Sequence, residues 1–145
     1  MLKRDVTYQS KFVDIVGIMP KIRVAVELGY NIIFRGPTGT GKTYLIKELA
    51  NEYGKTLLVM NMTAGASTEE VKGRYVVQPD ESGKTVVTWV DGLLVTAMKK
   101  GYWLAIEEAN FMPEELASVF YSVMDDRRNI CIDEHENEVI TAHPE

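Results

Sequence analysis

The sequence predicts an α/β fold with a mostly parallel central sheet. Three apolar runs of strand length, at residues 31–35, 56–61 and 102–106, alternate with segments whose apolar residues repeat at helical spacing. Runs that are apolar at nearly every position are typical of parallel strands covered on both faces. A glycine-rich loop joins the first run to the next helix. This order predicts helices on both sides of the sheet, in three α/β/α layers.

Four helices are expected from apolar spacing and from residues typical of helix ends. The expected segments are residues 20–28, 43–53, 93–100 and 114–124. A glycine follows each of the first three, and Pro113 precedes the last. Asp91 stands just before the third segment, where a carboxylate can accept hydrogen bonds from the first backbone N–H groups. We therefore expect Asp91 to cap that helix.

Two further segments, residues 74–90 and 129–142, predict antiparallel hairpins inserted into this frame. In each segment, two runs rich in β-branched residues flank a short polar stretch. Cys131 lies in the second segment and is the only cysteine of the chain, so a disulfide within the chain is excluded. We interpret Cys131 as a small hydrophobic residue of a strand.

The composition of the chain limits the classes of function that it can have. With 145 residues and 46% hydrophobic residues, the chain has the length of one globular domain. The net charge of −5 makes nucleic acid an unlikely partner, because sequence-independent nucleic-acid binders normally carry a basic field. No apolar run approaches the roughly 18 residues of a membrane span, and no apolar segment follows the first residues as in a secretory signal. We expect a cytoplasmic protein without a membrane partner.

The glycine-rich loop matches the phosphate-loop (Walker A) pattern GxxxxGK[ST] at every position. Its residues are Gly36, Pro37, Thr38, Gly39, Thr40, Gly41, Lys42 and Thr43. Glycines let backbone N–H groups turn toward phosphate oxygens, and the start of the following helix adds a positive dipole. In such a loop Lys42 reaches the β- and γ-phosphates, and the Thr43 hydroxyl binds Mg²⁺. The loop therefore predicts a nucleoside triphosphate and Mg²⁺ as cofactors.

The third apolar run ends in two adjacent carboxylates, Glu107 and Glu108, which is typical of a Walker B element. Because successive side chains of a strand point to opposite faces, we expect the two to serve different purposes. One carboxylate at the strand tip can hold the Mg²⁺ shell, and the other can polarise the attacking water.

Together with further stretches, these motifs resemble AAA+ ATPases of the dynein-related group. Within that group, the chain is most similar to the MoxR, CbbQ, NorQ and GvpN ATPases, from about Pro20 to the last residue. The stretches are Gly73-Arg74-Tyr75, Trp89-Val90-Asp91-Gly92-Leu93-Leu94, Ala109-Asn110 and Met124-Asp125-Asp126-Arg127-Arg128. The phosphate loop is common to many NTPases, whereas the order of these other stretches is far more specific.

The resemblance implies a hexameric ring that binds ATP between subunits and applies force to a client protein. It assigns Glu107 to the Mg²⁺ position, Glu108 to the water-activating position, and Asn61 to a polar residue that holds the catalytic glutamate inactive. A strand-end cap is an equally good interpretation of Asn61. ATP rather than GTP follows from the family, since no guanine-reading Asn-Lys-x-Asp element occurs. The two hairpins resemble inserts that this clade directs toward the pore or the client.

The chain departs from the family pattern in two ways. Glu107 stands where aspartate is usual, and its extra methylene carries the carboxylate about 1.5 Å further. Because Mg²⁺ demands near-ideal octahedral geometry, this change can weaken metal binding. No sensor-1 strand, arginine finger, sensor-2 or helical lid is recognisable before the last residue. We therefore expect residues 1–145 to be a partial nucleotide-binding (large) subdomain, inactive by itself.

Two other functions remain open at this point: a nucleotide-gated interaction module with little hydrolysis, and a P-loop small-molecule kinase. Glu107 favours the first of these. A kinase needs an arginine-bearing lid after the second strand, where this sequence predicts a hairpin instead. The histidines His135 and His143 are expected to be solvated rather than zinc ligands. Arg127 and Arg128 are interpreted as a charged helix exit, although contact with a neighbouring subunit's nucleotide is an alternative.

Overall fold

The computed structural model describes residue 14 and residues 17–144, which form an α/β structure. The chain divides into two compact units between Tyr53 and Gly54. The described residues contain five α-helices, one short 3-10 helix and six strands. One pair of strands is parallel and two pairs are antiparallel. The α/β class and a parallel strand pairing, both predicted from the sequence, are confirmed.

The first unit contains two helices, α1 (Met19–Glu27) and α2 (Lys42–Glu52). Its buried apolar side chains are Met19, Ile22, Leu45, Leu49 and Ala50. The Arg23 guanidinium donates to the Glu52 carboxylate at 2.7 Å, which ties α1 to the end of α2. At the start of α1, the Asp14 carboxylate accepts hydrogen bonds from the N–H groups of Ile18 and Met19, each at 2.9 Å. Both helices begin and end within one residue of the limits predicted from the sequence, 20–28 and 43–53.

The predicted strand at residues 31–35 is not formed. These residues have no regular secondary structure, and Ile33 is 86% exposed. A strand is stabilised only by pairing with a neighbour. Among the described residues, residues 57–61 and 103–107 form a parallel pair with each other, and neither strand pairs with residues 31–35.

The second unit begins with β1 (Leu57–Asn61), α3 (Thr68–Val71), β2 (Gly73–Pro79) and β3 (Thr85–Asp91). It continues with α4 (Leu93–Lys100), β4 (Trp103–Glu107) and the 3-10 helix Ala109–Phe111. The last elements are α5 (Glu114–Met124), β5 (Asn129–Ile132) and β6 (Glu138–Thr141). β1 and β4 pair in parallel, with Leu57 opposite Trp103 and Asn61 opposite Glu107. Their carboxyl ends therefore meet at one edge.

The core of the second unit lies between the parallel strands, the helices and the last hairpin. Its buried members are Met60, Met62, Val71, Leu94, Val95, Met98, Leu116, Phe120, Ile130, Ile132 and Ile140. Leu116 and Phe120 stand four residues apart on α5, so they share one face of the helix, as the apolar spacing predicted. This core fixes β4, and with it the strand end that carries the acidic pair.

The segments predicted as hairpins contain antiparallel strand pairs. β2 pairs with β3, placing Tyr75 opposite Trp89, and β5 pairs with β6, placing Cys131 opposite Val139. Cys131 lies in a strand as expected, and its side chain is exposed rather than buried in the core. The reason is alternation: Ile130 and Ile132 face the core, so the residue between them faces away.

Asp91 does not cap α4, which corrects the prediction from sequence. The N-cap residue is Gly92, and no side chain caps the helix start. Asp91 is the last residue of β3, and its carboxylate instead accepts hydrogen bonds from Trp89 Nε1 at 2.9 Å and Lys99 Nζ at 3.0 Å. Trp89 lies two residues earlier on β3, and Lys99 lies on α4.

No helix in the described part of the chain combines the length and apolar character needed to cross a membrane.

Candidate functional site

The phosphate-loop segment forms a turn that leads directly into α2. Gly39 and Gly41 have φ angles of 81° and 84°, in the left-handed region that favours glycine. The Thr40 hydroxyl donates to the Pro37 carbonyl at 2.9 Å and closes the turn. Gly41 is the N-cap of α2, and no side chain caps this helix start. The dipole of the helix therefore faces the loop without a competing side-chain acceptor.

Lys42, the first residue of α2, turns its side chain back over the loop. Its Nζ donates to the carbonyl oxygens of Gly36 at 2.9 Å and Pro37 at 2.8 Å. Thr43 follows in the first helical turn and is exposed, as are the remaining loop residues Thr38 and Gly39. An ammonium group, positive-φ glycines and a helix start are thus gathered within eight residues. These are the donors that a phosphate group requires.

The acidic pair lies at the carboxyl edge of the parallel strands. Glu107 ends β4 and is half-buried, and its register partner Asn61 ends β1 and is exposed. The Glu107 carbonyl accepts a hydrogen bond from Met62 N at 2.9 Å, which ties the segment after β1 to this edge. The structure thereby brings together Asn61, Glu107 and Glu108 at the ends of two neighbouring strands, while the loop residues belong to the first unit.

Glu108 differs from the sequence-based expectation in its backbone. It has left the strand and adopts φ 53° and ψ 39°, and it serves as the N-cap of the 3-10 helix Ala109–Phe111. The two carboxylates are therefore separated by a change of backbone direction rather than by strand alternation. A left-handed conformation at a non-glycine residue costs on the order of 1–3 kcal/mol, and such residues cluster at functional sites. The Asn110 and Pro113 that follow were the available signal of a turn.

The other candidates have local explanations or different surroundings. Arg127 pairs with Asp125 through Nε at 2.8 Å, and this contact holds the pKa of the Asp125 carboxyl below its ordinary value. Arg127 therefore has a structural partner at the exit of α5. His135 is not simply solvated, since it stacks on Trp89. Among the described residues, no three His, Cys, Asp or Glu side chains are grouped to hold a metal ion.

Comparison with known proteins identifies the family that the chain resembles. The profile of the AAA domain (dynein-related subfamily) matches residues 31–143. Midasin of Dictyostelium discoideum is 34% identical over 122 residues, which are 84% of this chain and 2% of that protein. Uncharacterized proteins of Staphylococcus epidermidis and Staphylococcus saprophyticus are 33% and 31% identical, over 81% and 82% of this chain and 44% and 45% of theirs.

The chain thus spans less than half the length of these curated relatives. Members of the matched family are nucleotide-binding ATPases that use ATP with Mg²⁺ and typically oligomerise. The matched region contains the phosphate-loop segment, both parallel strands and both hairpins. The chain belongs to the dynein-related subfamily of AAA domains.

Proposed function

We propose that this chain binds Mg-ATP through its phosphate loop and hydrolyses ATP as part of a larger AAA+ module. The observation that carries the proposal is the conformation of the loop. Lys42 already lies over it, with its ammonium group on the carbonyls of Gly36 and Pro37. Phosphate oxygens are stronger acceptors for an ammonium group than neutral carbonyls are. The bound nucleotide can thus replace these contacts without a rearrangement of the helix start.

The remaining loop residues fit a triphosphate by their chemistry. Backbone N–H groups of residues 38–43 would hold the phosphate oxygens, helped by the turn at Gly39 and Gly41. The Thr43 hydroxyl and the Glu107 carboxylate would hold Mg²⁺, which favours oxygen ligands. The metal ion would neutralise charge that develops on the phosphates. We assign Glu107 this role because it ends β4 itself, as the aspartate of the family does.

Glu108 is the proposed general base, and Asn61 the proposed regulator of that base. Glu108 is exposed at the tip of β4, where its left-handed backbone turns it away from the strand direction. A carboxylate in this position can orient and deprotonate a water molecule. Asn61 ends the neighbouring strand, in register with Glu107, so its amide is one residue away from the proposed base. This placement supports a hydrogen bond that restrains Glu108 until a partner engages.

At the level of the whole protein, we infer that hydrolysis drives the remodelling or activation of a client protein by a ring, a hexamer in this family. The support is family membership together with the two hairpins, whose exposed apolar residues suit contact with another protein. Such residues include Tyr75, Val77, Val87 and Val139, which are 50–71% exposed. We expect such a ring only from a polypeptide that continues through the helical lid, since family members bind ATP between subunits.

A nucleotide-gated interaction module with little hydrolysis is the second candidate function. The observation in its favour is Glu107, whose longer side chain stands where the family uses aspartate. A less precise Mg²⁺ geometry would leave nucleotide binding intact while it slowed phosphoryl transfer. A small-molecule kinase is disfavoured, because the segment after β1 leads to a hairpin instead of an arginine-bearing lid.

The test of nucleotide binding is calorimetric titration of Mg-ATP into wild type, Lys42→Ala and Lys47→Ala. We expect Lys42→Ala to abolish measurable binding, because the ammonium group on the β- and γ-phosphates is lost. Lys47 lies exposed on the same helix, outside the loop, so Lys47→Ala should bind as wild type does. Unchanged affinity in Lys42→Ala would contradict the proposal. Measurement of phosphate release by a polypeptide extended through the lid would then separate hydrolysis from gated binding.

A further inference from the structure

The strand β5 has one edge that faces away from its hairpin. Among the described residues, β5 pairs only with β6, so no strand lies on its other side. The Ala142 N–H donates to the Arg128 carbonyl at 2.8 Å, just before β5 begins. Opposite residues of antiparallel strands alternate between hydrogen-bonded and non-hydrogen-bonded pairs. In this register, Ile130 directs its backbone N–H and C=O to β6, whereas Asn129 and Cys131 direct theirs outward.

A cleft of about 310 Å³ lies between β5 and α5. Three consecutive residues of β5 line it, together with Ser118, Val119 and Ser122 of α5. Neighbouring side chains of a strand point to opposite faces, so a cleft that contacts three residues in a row lies along the edge of the strand. The cleft therefore adjoins the outward backbone groups of β5.

The hydroxyl groups of the cleft are prepared to accept hydrogen bonds. Ser118 Oγ donates to the Glu115 carbonyl at 2.7 Å, and Ser122 Oγ donates to the Val119 carbonyl at 2.8 Å. Because both hydroxyl protons are held within α5, each oxygen keeps lone pairs for an incoming donor. An extended peptide carries such N–H donors, and it can also pair with the outward N–H and C=O groups of β5.

The charged side chains that line the cleft are both cations, Lys72 and Arg127. The Lys72 side chain is only 12% exposed, and the oxygens of Glu134 and Asp133 with which it pairs lie at 3.5 and 4.0 Å. These distances exceed the roughly 2.7–3.2 Å of a well-formed N–H···O bond, so the ammonium group keeps donors for a closer acceptor. Asp125 engages only two nitrogens of the Arg127 guanidinium. A carboxylate therefore complements this cleft better than a neutral or cationic side chain does.

We propose that β5 binds an extended, acidic segment of a partner protein, which adds to the β5–β6 hairpin as a third strand and places a carboxylate in the cleft beside Lys72. Main-chain hydrogen bonds to Asn129 and Cys131 provide affinity, and the cleft selects the side chain. Alternate side chains of the added strand face the same side, so acidic residues at every second position are preferred. The site lies within the second unit and requires no nucleotide, so it is independent of the proposed ATP site.

The first experiment uses a capped peptide of about six residues in which valine and glutamate alternate, long enough to span β5. Cys131 lines the cleft and is the only cysteine of the chain, so its alkylation reports occupancy of the edge. The anisotropy of a fluorescent form of the peptide gives Kd. At a peptide concentration ten times Kd, we expect alkylation to slow by up to about tenfold, because the unbound protein falls by the factor 1 + [L]/Kd.

Two control peptides separate the contribution of charge from that of the backbone. One has glutamine in place of glutamate and loses the carboxylates, and the other has ester links in place of amides and loses the N–H donors. We expect each to bind at least about tenfold more weakly than the glutamate peptide, because charge-assisted and main-chain hydrogen bonds are lost in turn.

Matched variants of the protein test the two cations. Lys72→Gln should weaken binding of the glutamate peptide about tenfold and leave binding of the glutamine peptide unchanged, which also shows that the cleft is intact. Arg127→Gln should weaken it in the same direction without disturbing the core, since this side chain is 68% exposed. Lys84→Gln removes an exposed lysine from the turn between β2 and β3 and should change neither peptide's affinity.

Equal affinities of the glutamate and glutamine peptides, or of the amide and ester peptides, would overturn the proposal. Full affinity in both Lys72→Gln and Arg127→Gln, or unchanged alkylation of Cys131 at saturating peptide, would do the same. Alkylation that slows as the protein concentration rises, without any peptide, would instead assign this edge to a second copy of the chain.

Discussion

Lys42 illustrates at the scale of a residue how the loop prepares a site for an anion. Its ammonium group donates to two carbonyl oxygens of its own loop, at 2.9 and 2.8 Å. Neutral carbonyls satisfy the donors but leave the charge uncompensated. An anionic phosphate supplies the missing charge through stronger, charge-assisted hydrogen bonds. The exchange of acceptors is therefore favourable, and the lysine loses little further freedom when it occurs.

The different roles proposed for Glu107 and Glu108 give the next prediction at this scale. In a polypeptide extended through the lid, Glu108→Gln should retain ATP but lose at least about a hundredfold in turnover, as expected for the removal of a general base. Glu107→Asp should hydrolyse ATP as fast or faster, because it restores the shorter carboxylate. Single-turnover rates measure both effects. A harsh hydrolysis defect in Glu107→Gln beside a mild one in Glu108→Gln would reverse the assignment.

The sequence predicts single residues well when their surroundings are local. The phosphate loop is such a case, because turn glycines, lysine and helix start follow one another within eight residues. The backbone of Glu108 could not be predicted in this way. Strand alternation predicted that Glu107 and Glu108 point to opposite faces of one strand, but the strand ends at Glu107. Asp91 directly precedes a helix in the sequence, yet its carboxylate accepts from Trp89 on β3 and from Lys99 on α4. The contact with Lys99 forms only once α4 has packed beside the end of β3.

At the scale of elements, the four helices expected from the sequence lie within one residue of their predicted limits, whereas the short α3 was not predicted and one predicted strand is not formed. Helical spacing and terminal residues are read within a single segment. A strand instead depends on a neighbour, and residues 31–35 have the composition of a buried strand without forming one. β1 and β4 show the opposite case, since each provides the other's partner. Apolar composition therefore predicts which segments can form strands, and a segment becomes a strand only when a neighbouring strand pairs with it.

Gly92, at the junction of β3 and α4, gives a prediction about this packing. A Cβ atom at Gly92 would lie 2.4 Å from the Val71 carbonyl oxygen, which is backbone and cannot rotate away. Gly92→Ala should therefore lower the free energy of unfolding by about 1–3 kcal/mol, the usual cost of overpacking. Gly65→Ala is the matched control, because a Cβ there meets nothing within 4 Å. Urea unfolding compares the two, and equal stability would disprove the close approach.

The turn between β2 and β3 gives a prediction about pH. The Asp80 carboxylate accepts from Ser82 Oγ at 2.6 Å and from the N–H groups of Ser82 and Lys84, each at 2.9 Å. The hydrogen bond from the Ser82 side chain, followed by that from the Lys84 backbone, lowers the pKa of Asp80 below its ordinary 3.8. The charged form is thus favoured in the folded state. Its contribution to stability is present at neutral pH and is lost as the pH falls through the folded-state pKa.

We therefore expect Asp80→Asn to be less stable than wild type at pH 7, with a difference that shrinks below about pH 4. Unfolding midpoints in urea between pH 2 and pH 7 measure this difference. Glu81→Gln, the neighbouring exposed acidic residue, controls for the general effect of removing one negative charge. A difference between Asp80→Asn and wild type that stays constant across this range would contradict the role given to the charged carboxylate.

At the scale of the whole molecule, the unformed strand carries the last prediction. Within residues 31–35, which lie outside any sheet, Ile33 is 86% exposed, and the nearby Tyr30 is 66% exposed. Exposed apolar segments of strand composition invite pairing with another chain. We expect residues 1–145 to self-associate without forming a defined hexamer, and to show negligible ATPase activity.

Ile33→Lys should reduce the association, because a charge on the exposed segment opposes edge pairing. Val139→Lys should leave the association unchanged, because its strand already pairs within a hairpin. Light scattering over a range of concentrations distinguishes these outcomes. A monodisperse wild-type ring that hydrolyses ATP, or association that Ile33→Lys leaves unchanged, would show that residues 31–35 do not mediate the association.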